Sequence, residues 1–357
     1  MSDPPLPDVD FDPTGGMARD DDLCLLEQPP GTVGYGENHA FWFFDAAGKV
    51  HGYNHISAVQ SWYELRSERN WLIFPDGRVL HNANEGAQTR KRRAGGANLV
   101  FDCIEPFRRW SVDYLGTMRI SSSEELAAGP ASEGPRCIVD LHLDVETAAE
   151  PWTYGALSAG VDAPASKFIG GHRYEQLCRV SGRLRTDEGD DIRIEGTGIR
   201  THRRGPRDMH GWHGHCWQTA LFPSGRGFGL QQIPDIDGPQ GRAAPAWTEA
   251  CVLDRGRIVA AEVIEAAWLT DLSPRGERVR VRLRSSLGEH EITGEVLGNS
   301  FRTIHAAGAP GRLLREFGVW GDAGSYVLRQ GACLWTMDGE TAAGHIEGST
   351  ACAELAR

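Results

Sequence analysis

Alternation of apolar and polar residues with a period of two is the sequence feature that most limits the fold. It is clearest in residues 278–284, where three apolar side chains alternate with four arginines. A turn follows at Ser-Leu-Gly-Glu, and residues 290–296 alternate again. Because successive side chains of a strand point to opposite faces, this pattern predicts a hairpin with one buried and one solvated face.

The same pattern recurs along most of the chain. It predicts hairpins over residues 180–194 and 41–50, and further short strands follow at intervals of about 10 residues. The 44 glycines suit many turns and bulges. Helix signals are weak: the best candidate is Ala260–Leu272, which could equally be a long strand. The prediction is an all-β protein whose antiparallel sheets close as barrels or sandwiches.

Length sets the expected number of domains. A chain of 357 residues is too long for one ordinary core, so two domains are expected. Residues 1–35, rich in Pro, Gly and Asp, are predicted to be an irregular lead. The predicted domains are residues 36–200 and 201–357.

Charge and hydropathy exclude several classes of partner. The net charge of -12 argues against nucleic acid or an anionic membrane as the main partner. The N-terminus has neither a basic start nor an apolar run, so no signal peptide is expected. Without an apolar stretch of about 18 residues, no membrane insertion is expected. The eight cysteines are dispersed and form no CxxC pair, which is typical of buried thiols in a reducing cytoplasm.

The segment Gly196–Trp217, GTGIRTHRRGPRDMHGWHGHCW, carries the densest chemistry. It holds four of the 13 histidines, two of the 11 tryptophans and several arginines. Imidazole changes charge near neutral pH, and indole supplies a large apolar wall with one polar handle. The composition therefore predicts the lining of a ligand pocket.

A strand over residues 211–222 would place His213, His215 and Trp217 on one face. The His-x-His spacing can chelate a metal and resembles that of cupin sites. The glutamate expected a few residues later is absent, because residues 218–221 are Gln, Thr, Ala and Leu. We therefore expect these histidines to bind or orient a substrate, or to lie in a structural core, and we expect no metal.

Glu175 lies upstream, in the sequence His-Arg-Tyr-Glu-Gln. A carboxylate on a barrel strand beside an Arg- and His-rich segment could be a general acid with a raised pKa. It could equally be a structural partner of Arg200 or Arg207.

A family resemblance rests on residues of this region. They are Tyr174-Glu175-Gln176, Gly182, Gly196-Thr197-Gly198-Ile199-Arg200, His202, Gly205-Pro206-Arg207-Asp208 and Trp212. Together they resemble the AttH-like and hydroxyneurosporene synthase (carotenoid 1,2-hydratase) superfamily, whose signature is close to G-x-G-x-R-D-H-S-W-G-P-R. The resemblance covers the chain from about residue 36 and implies two lipocalin-like antiparallel β-barrel domains in tandem.

Only part of the family's functional signature is present in this sequence. His202 matches the signature histidine, which in the hydratases acts with a tryptophan in protonating an isolated double bond. Here Thr201 replaces the signature Asp, and Arg203-Arg204 replace Ser-Trp. The arginines suggest an oxygenated or anionic group on the substrate. Residues 227–231 lack the later Tyr-x-Asp of the family.

Two functions remain open. The first is a cofactor-independent lyase or isomerase that hydrates, dehydrates, shifts a double bond or cyclises a largely apolar, oxygenated terpenoid, steroid or polyketide-like molecule between the barrels. The second is a non-catalytic carrier of hydrophobic ligands. The dense His and Arg favour the enzyme. The partner is a small apolar or amphipathic molecule, and the protein is expected to be a monomer or homodimer.

The candidate residues divide into two sets. The catalytic candidates are His202, Glu175 and Asp208. The substrate-binding candidates are Arg200, Arg204, Arg207, His210, Trp212, His213, His215 and Trp217.

Overall fold

The computed structural model describes most of the chain. The described residues are 12–32, 34–59, 62–131, 133–157, 167–169, 171–208, 211–235, 242, 245–304, 317–321 and 324–355. Among the predicted site residues, His210 lies outside this set.

The first sheet contains eleven antiparallel strands. They are β1 (Tyr35–Asp45), β2 (His51–Val59), β3 (Trp62–Ile73), β4 (Arg78–Gly86), β5 (Arg93–Gly95), β6 (Leu99–Glu105), β7 (Arg109–Ser122), β8 (Arg136–Thr147), β9 (Trp152–Thr153), β10 (His172–Thr186) and β11 (Asp191–Pro206). Their order is β4-β3-β2-β1-β11-β10-β8-β7-β6-β5, with β9 paired to β10. Because β4 also pairs with β7, the strands from β4 to β7 in this order close into a barrel, called here the first barrel.

The second sheet is a closed barrel of eight antiparallel strands, called here the second barrel. Its strands are β12 (Gly214–Leu221), β13 (Gly227–Ile233), β14 (Trp247–Asp254), β15 (Arg257–Glu265), β16 (Arg278–Ser285), β17 (Gly288–Ile304), β18 (Tyr326–Met337) and β19 (Glu340–Ala351). Each strand pairs with the next along the chain, and β19 pairs with β12 to close the ring. The predicted all-β fold of two lipocalin-like barrels is confirmed.

The predicted hairpins are present. β16 pairs with β17, β10 with β11, and β1 with β2, each in the predicted antiparallel sense. Of the two possibilities left open for Ala260–Leu272, the strand is found up to Glu265, and the segment is irregular beyond it. Residues 258–261 are all buried against the neighbouring strands, which outweighs the weak helical propensity there.

Helices are few among the described residues. They are α1 (Ser123–Ala128), α2 (Tyr154–Leu157) and 3-10 turns at Arg19–Asp22 and Cys352–Glu354. None of them has the length and apolar composition needed to span a membrane.

Burial along the strands locates the contact between the barrels. β8 alternates strictly between exposed and buried residues, so it forms an outer wall. β12 and β13 are buried at every residue. A strand is buried on both faces only if the interior of its own barrel covers one face and another layer covers the other face.

The described residues form one apolar core inside each barrel and a third core between the barrels, which joins residues of both sheets. We propose two domains that follow this division into barrels.

The segment before β1 supplies a fully buried carboxylate to the first barrel. Asp22 accepts hydrogen bonds from the indole of Trp110 at 2.9 Å, the phenol of Tyr174 and both terminal nitrogens of Arg200 at 2.6 Å. The neighbours Leu23 and Cys24 belong to the apolar core of this barrel. The described part of the N-terminal lead is therefore irregular in conformation but anchored by a buried ion pair.

We expect Asp22→Asn to destabilise the protein by about 3 kcal/mol, because it leaves the Arg200 guanidinium buried without its counter-charge. The matched control is Asp20→Asn in the same 3-10 turn. Asp20 pairs with Lys91 at the surface, so its loss should cost less than about 0.5 kcal/mol. Urea unfolding of both variants measures the difference, and equal losses would contradict a structural role for Asp22.

Candidate functional site

Strands β1, β10 and β11 each present two buried faces with different chemistry. Toward the interior of the first barrel they carry Glu37 and His39 of β1, Tyr174 of β10, and Arg200 and His202 of β11. Toward the second barrel they carry the residues between these, since side chains alternate across a strand. The two sets are separate clusters, called here the interior cluster and the inter-barrel cluster.

His202 lies in the interior cluster, 1% exposed. Its Nε2 is 3.1 Å from Oε1 of Glu37, and its Nδ1 is 3.3 Å from the Tyr174 hydroxyl. Its ring stacks on that of His39 with 3.8 Å between centroids. Burial, followed by the charges of Arg204 and Arg200, holds the pKa of His202 well below its usual value. The imidazole is therefore neutral, and every polar atom of it has a protein partner.

Glu37, His39 and His202 offer three ligand atoms within 4.8 Å of one another, close enough in principle for a metal ion. Cys24 Sγ also lies 3.5 Å from the ring Nε2 of His39. The stacking of the His39 and His202 rings argues against a metal ion at this position. A metal ion lies in the plane of each imidazole that binds it, and two stacked rings with centroids 3.8 Å apart and planes inclined by only 20° do not share such a point near both nitrogens. Glu37 is moreover paired with Arg66 at 3.4 Å, so the arrangement fits a hydrogen-bonded core better than a cation site.

Glu175 lies in the inter-barrel cluster, on the opposite side of the first-barrel wall from His202. It is 3% exposed and forms a close ion pair with Arg173. The guanidinium of Arg173 also sits 4.7 Å from the ring centre of Trp217 on the second barrel. Burial raises the pKa of Glu175, while Arg173 and Trp217 lower it in part.

A row of buried polar residues crosses the second-barrel wall that faces Glu175. The strand register places Glu347 beside Trp217, Trp217 beside Gln231, and Gln231 beside Glu249. All four are less than 7% exposed. Burying such a row beneath another barrel costs folding free energy unless each polar group has a hydrogen-bond partner or binds a ligand.

Glu249 is the last residue of this row and lies next to Glu175. Burial, and next the negative charge of Glu175, raise the pKa of Glu249 well above its usual value. The Trp152 indole, which hydrogen-bonds to the carboxyl, and Arg173 oppose this only in part. Because Arg173 binds Glu175 directly, the ionised form is better stabilised at Glu175 than at Glu249.

Glu347 has the opposite character. Its burial would raise the pKa, but the hydrogen bond and charge of His215, together with His345, lower the pKa to about 2. His215 Nε2 is 2.8 Å from Glu347 Oε1, and its Nδ1 is 2.7 Å from the Ser349 hydroxyl. Gln330 donates to the other carboxylate oxygen at 2.6 Å.

Aromatic rings line the space between the two acidic positions. Trp42 of β1 meets Trp217 edge-on at 4.9 Å, and the His345 ring lies 4.7 Å from Trp42 and 4.6 Å from Trp217. Burial lowers the pKa of His345 to about 3. Within the described residues, Trp42 Nε1 and both ring nitrogens of His345 are buried without a hydrogen bond.

The other sequence candidates lie around these clusters. Arg200 belongs to the interior cluster, and Arg204 pairs with Asp21 at 2.6 Å. Arg207 donates to the Phe168 carbonyl, and the exposed Asp208 lies 3.6 Å from Lys167. Trp212 packs edge-on against Phe168 at 5.2 Å, while His213 is half-buried. The inter-barrel cluster thus contains Glu175, His215 and Trp217 of the predicted residues.

Sequence reasoning missed several residues of both clusters. They are Asp22, Glu37, His39, Arg173, Glu249, His345 and Glu347. Two carried a readable signal: Glu249 interrupts the largely apolar strand TEACVL, and His345-x-Glu347 repeats the period-two spacing of paired polar groups. The rest become neighbours only when the chain folds, because the sequence alone does not show which segments lie side by side.

Comparison of the sequence with known proteins identifies a family and a relative. The sequence matches the family described as "Domain of unknown function (DUF7064)" over residues 24–351. It is also 29% identical over 115 residues to a protein of Escherichia coli (strain K12) described as "Putative uncharacterized protein BicB". That match covers 32% of this chain and 66% of the relative, slightly less than two thirds of its length.

Solved structures resemble the fold as a whole. A crystal structure described as a "putative AttH" from Nitrosomonas europaea aligns with a TM-score of 0.52 and 15% identity, over 89% of this chain and 93% of that one. A crystal structure of kievitone hydratase from Nectria haematococca aligns with a TM-score of 0.49 and 10% identity, over 97% of both chains. The first likeness confirms the predicted AttH-like fold.

The lowered pKa of Glu347 predicts a loss of stability in acid. Glu347 stays ionised in the folded protein but takes up a proton in the unfolded chain below about pH 4.3, the usual value of a free glutamate. Its contribution is therefore fully present above that pH and is lost as the pH falls through about 2. In urea unfolding at a series of pH values, Glu347→Gln should remove on the order of 2–3 kcal/mol of this pH dependence. An identical pH dependence in both proteins would contradict the assignment.

Proposed function

The chain belongs to the DUF7064 family of domains of unknown function, and from its inter-barrel cluster we propose that it is a cofactor-independent lyase or isomerase. Its substrate would be a largely apolar, oxygenated small molecule held between the barrels. The observation that carries the proposal is the opposed character of three buried carboxyl groups. The pKa of Glu249 is raised well above its usual value, that of Glu175 is raised against the opposing charge of Arg173, and that of Glu347 is lowered to about 2. Carboxyls whose environments push their pKa values apart are suited to acid and base roles.

In this proposal Glu249 is the general acid. It donates its proton to a double-bond carbon or to a departing hydroxyl group. Glu175 is the general base, which removes a proton from the substrate or from an added water. Its raised pKa makes it a stronger base than an ordinary carboxylate. Because the two groups are neighbours, the proton taken by Glu175 can return to Glu249 and the cycle closes.

The surrounding residues would stabilise the charge that develops during the reaction. The negative charge of Glu347 and the nearby rings of Trp42 and Trp217 would favour a cationic intermediate. Arg173 keeps Glu175 ionised and in place through their close ion pair. The shared aromatic core of the two barrels keeps bulk water out, which strengthens each of these interactions.

His202, the leading candidate from the sequence, has a different part in this proposal. It lies in the interior cluster, where Glu37, His39 and Tyr174 satisfy it. It supports the wall that carries Glu175, since His202 and Tyr174 are register partners on β11 and β10. We therefore propose a positioning role for it, and the variants below separate that role from an acid–base one.

We expect Glu249→Gln to lower turnover by at least about 100-fold, because it removes the only acid proton of the pair while keeping the shape of the side chain. The assay incubates the protein with an apolar metabolite extract in D₂O and follows products by mass spectrometry. Gain of deuterium at unchanged composition indicates a double-bond shift, and gain of a whole D₂O indicates hydration. Glu291→Gln, on the exposed face of β17, is the matched control and should keep full turnover.

His202→Asn is the competing variant in the same assay. If His202→Asn loses turnover while Glu249→Gln keeps full activity, the general acid lies in the interior cluster and the proposal is wrong. A ligand that co-purifies but gains no deuterium with the unaltered protein would favour the alternative, a carrier of hydrophobic ligands.

A further inference from the structure

The inter-barrel cluster has a basic end, which neither acid–base role above uses. On the first-barrel wall, His55 of β2 is the register partner of Arg69 on β3. On the neighbouring strands, Asn38 is the partner of Arg203, and its amide lies 3.4 Å from His55 Nε2. Two arginines and a histidine thus converge on one edge of the wall that faces the second barrel.

The second barrel adds a third arginine to this edge. Arg302 of β17 follows Ser300, which is the register partner of Gln330, and Gln330 accepts from the Trp71 indole of the first barrel at 3.3 Å. By alternation Arg302 therefore points toward the first barrel, as Ser300 does. Its Nε and Nη1 are buried, and no described residue accepts a hydrogen bond from either.

Electrostatics confirm that the three arginines act on one place. After burial, the causes that hold the pKa of His55 well below its usual value are the charges of Arg69, Arg302 and Arg203, in that order. Arg302 and Arg69 also act on the Tyr53 hydroxyl, whose ring lies 5.8 Å from that of His55. His55 is thus a neutral donor or acceptor within a field of positive charge.

Within this field it is the Arg302 guanidinium that is suited to an anion, since Arg69 donates to the hydroxyls of Ser57 and Ser67 and Arg203 donates to the Gly205 carbonyl. A guanidinium whose N–H groups are buried without acceptors loses hydration that only an oxygen ligand restores. A carboxylate matches the planar guanidinium fork with two parallel hydrogen bonds. Of the carboxylates of this cluster that the structure describes, Glu347 is bonded to His215 and Gln330, and Glu175 to Arg173.

We propose that Arg302, at the basic end that it forms with Arg69, Arg203 and His55, binds a carboxylate group of the substrate. This inference rests on the proposed function. It narrows the substrate class from an oxygenated apolar molecule to an apolar carboxylic acid. The acidic end around Glu175 repels the same group, so the two ends together orient the substrate. Its apolar body then lies along Trp42 and Trp217, with the reacting atoms toward Glu249.

The test measures binding of a matched pair of fluorescent probes, dansylaminoundecanoate and its methyl ester, which differ only in the carboxylate. The unaltered protein should bind the acid at least about tenfold more tightly than the ester, as expected for charge-assisted hydrogen bonds. Arg302→Gln should abolish this preference by weakening the acid and not the ester. Arg302→Lys, which keeps the charge, should retain part of it.

Arg284→Gln is the control, because Arg284 pairs with Glu262 and Glu289 on the solvent side of the second barrel. It should leave both affinities unchanged, and circular dichroism of each variant checks the fold. Equal binding of acid and ester by the unaltered protein, an equal loss of both in Arg302→Gln, or no binding of the acid would each overturn the proposal. Probe binding involves no reaction, so these results are separate from the loss of turnover that tests Glu249.

Discussion

Burial of strand walls on both faces is the constraint on which the rest of this molecule depends. Two closed barrels pack together mainly through β1, β10 and β11 on one side and β12 and β19 on the other. Where these strands are in contact, side chains face either the interior of a barrel or the opposite barrel, and neither environment is bulk water. Every polar group placed there must find a partner within the protein, or else serve a ligand.

The two polar clusters meet that demand differently, which is how we separate structure from function. In the interior cluster, Asp22, Arg200, Tyr174 and His202 satisfy one another with close hydrogen bonds. The interior cluster pairs its charges, although Arg200 Nε and Glu37 Oε2 take part in no hydrogen bond. In the inter-barrel cluster, burial and the neighbouring Glu175 raise the pKa of Glu249, and polar atoms of Arg302 and other residues lack acceptors or donors. Paired charges rigidify a barrel, whereas carboxyl groups with perturbed pKa values beside unused hydrogen-bonding capacity are suited to bind and convert a small molecule.

The fold could be predicted from the sequence because its signal is local. Alternation in residues 278–296 requires only neighbours in the chain, and it yielded the β16–β17 hairpin directly. The site could be predicted only in part. Glu175, His215 and Trp217 were found from local composition, but Glu249 and Glu347 join them through pairings across β12, β13, β14 and β19. His202 was assigned to the pocket because it matches the signature histidine. Its side chain alternates with that of Arg203, however, so the parity of β11 turns it into the barrel interior.

The claim that Glu249 carries a proton between the barrels is tested most directly by carbon-13 NMR of protein labelled at the glutamate side-chain carboxyl carbons. The account predicts one carboxyl resonance with the chemical shift of the protonated form at neutral pH, and this resonance should be missing in Glu249→Gln. If all glutamate carboxyl carbons show the ionised shift at neutral pH, Glu249 is not the acid and the account is contradicted.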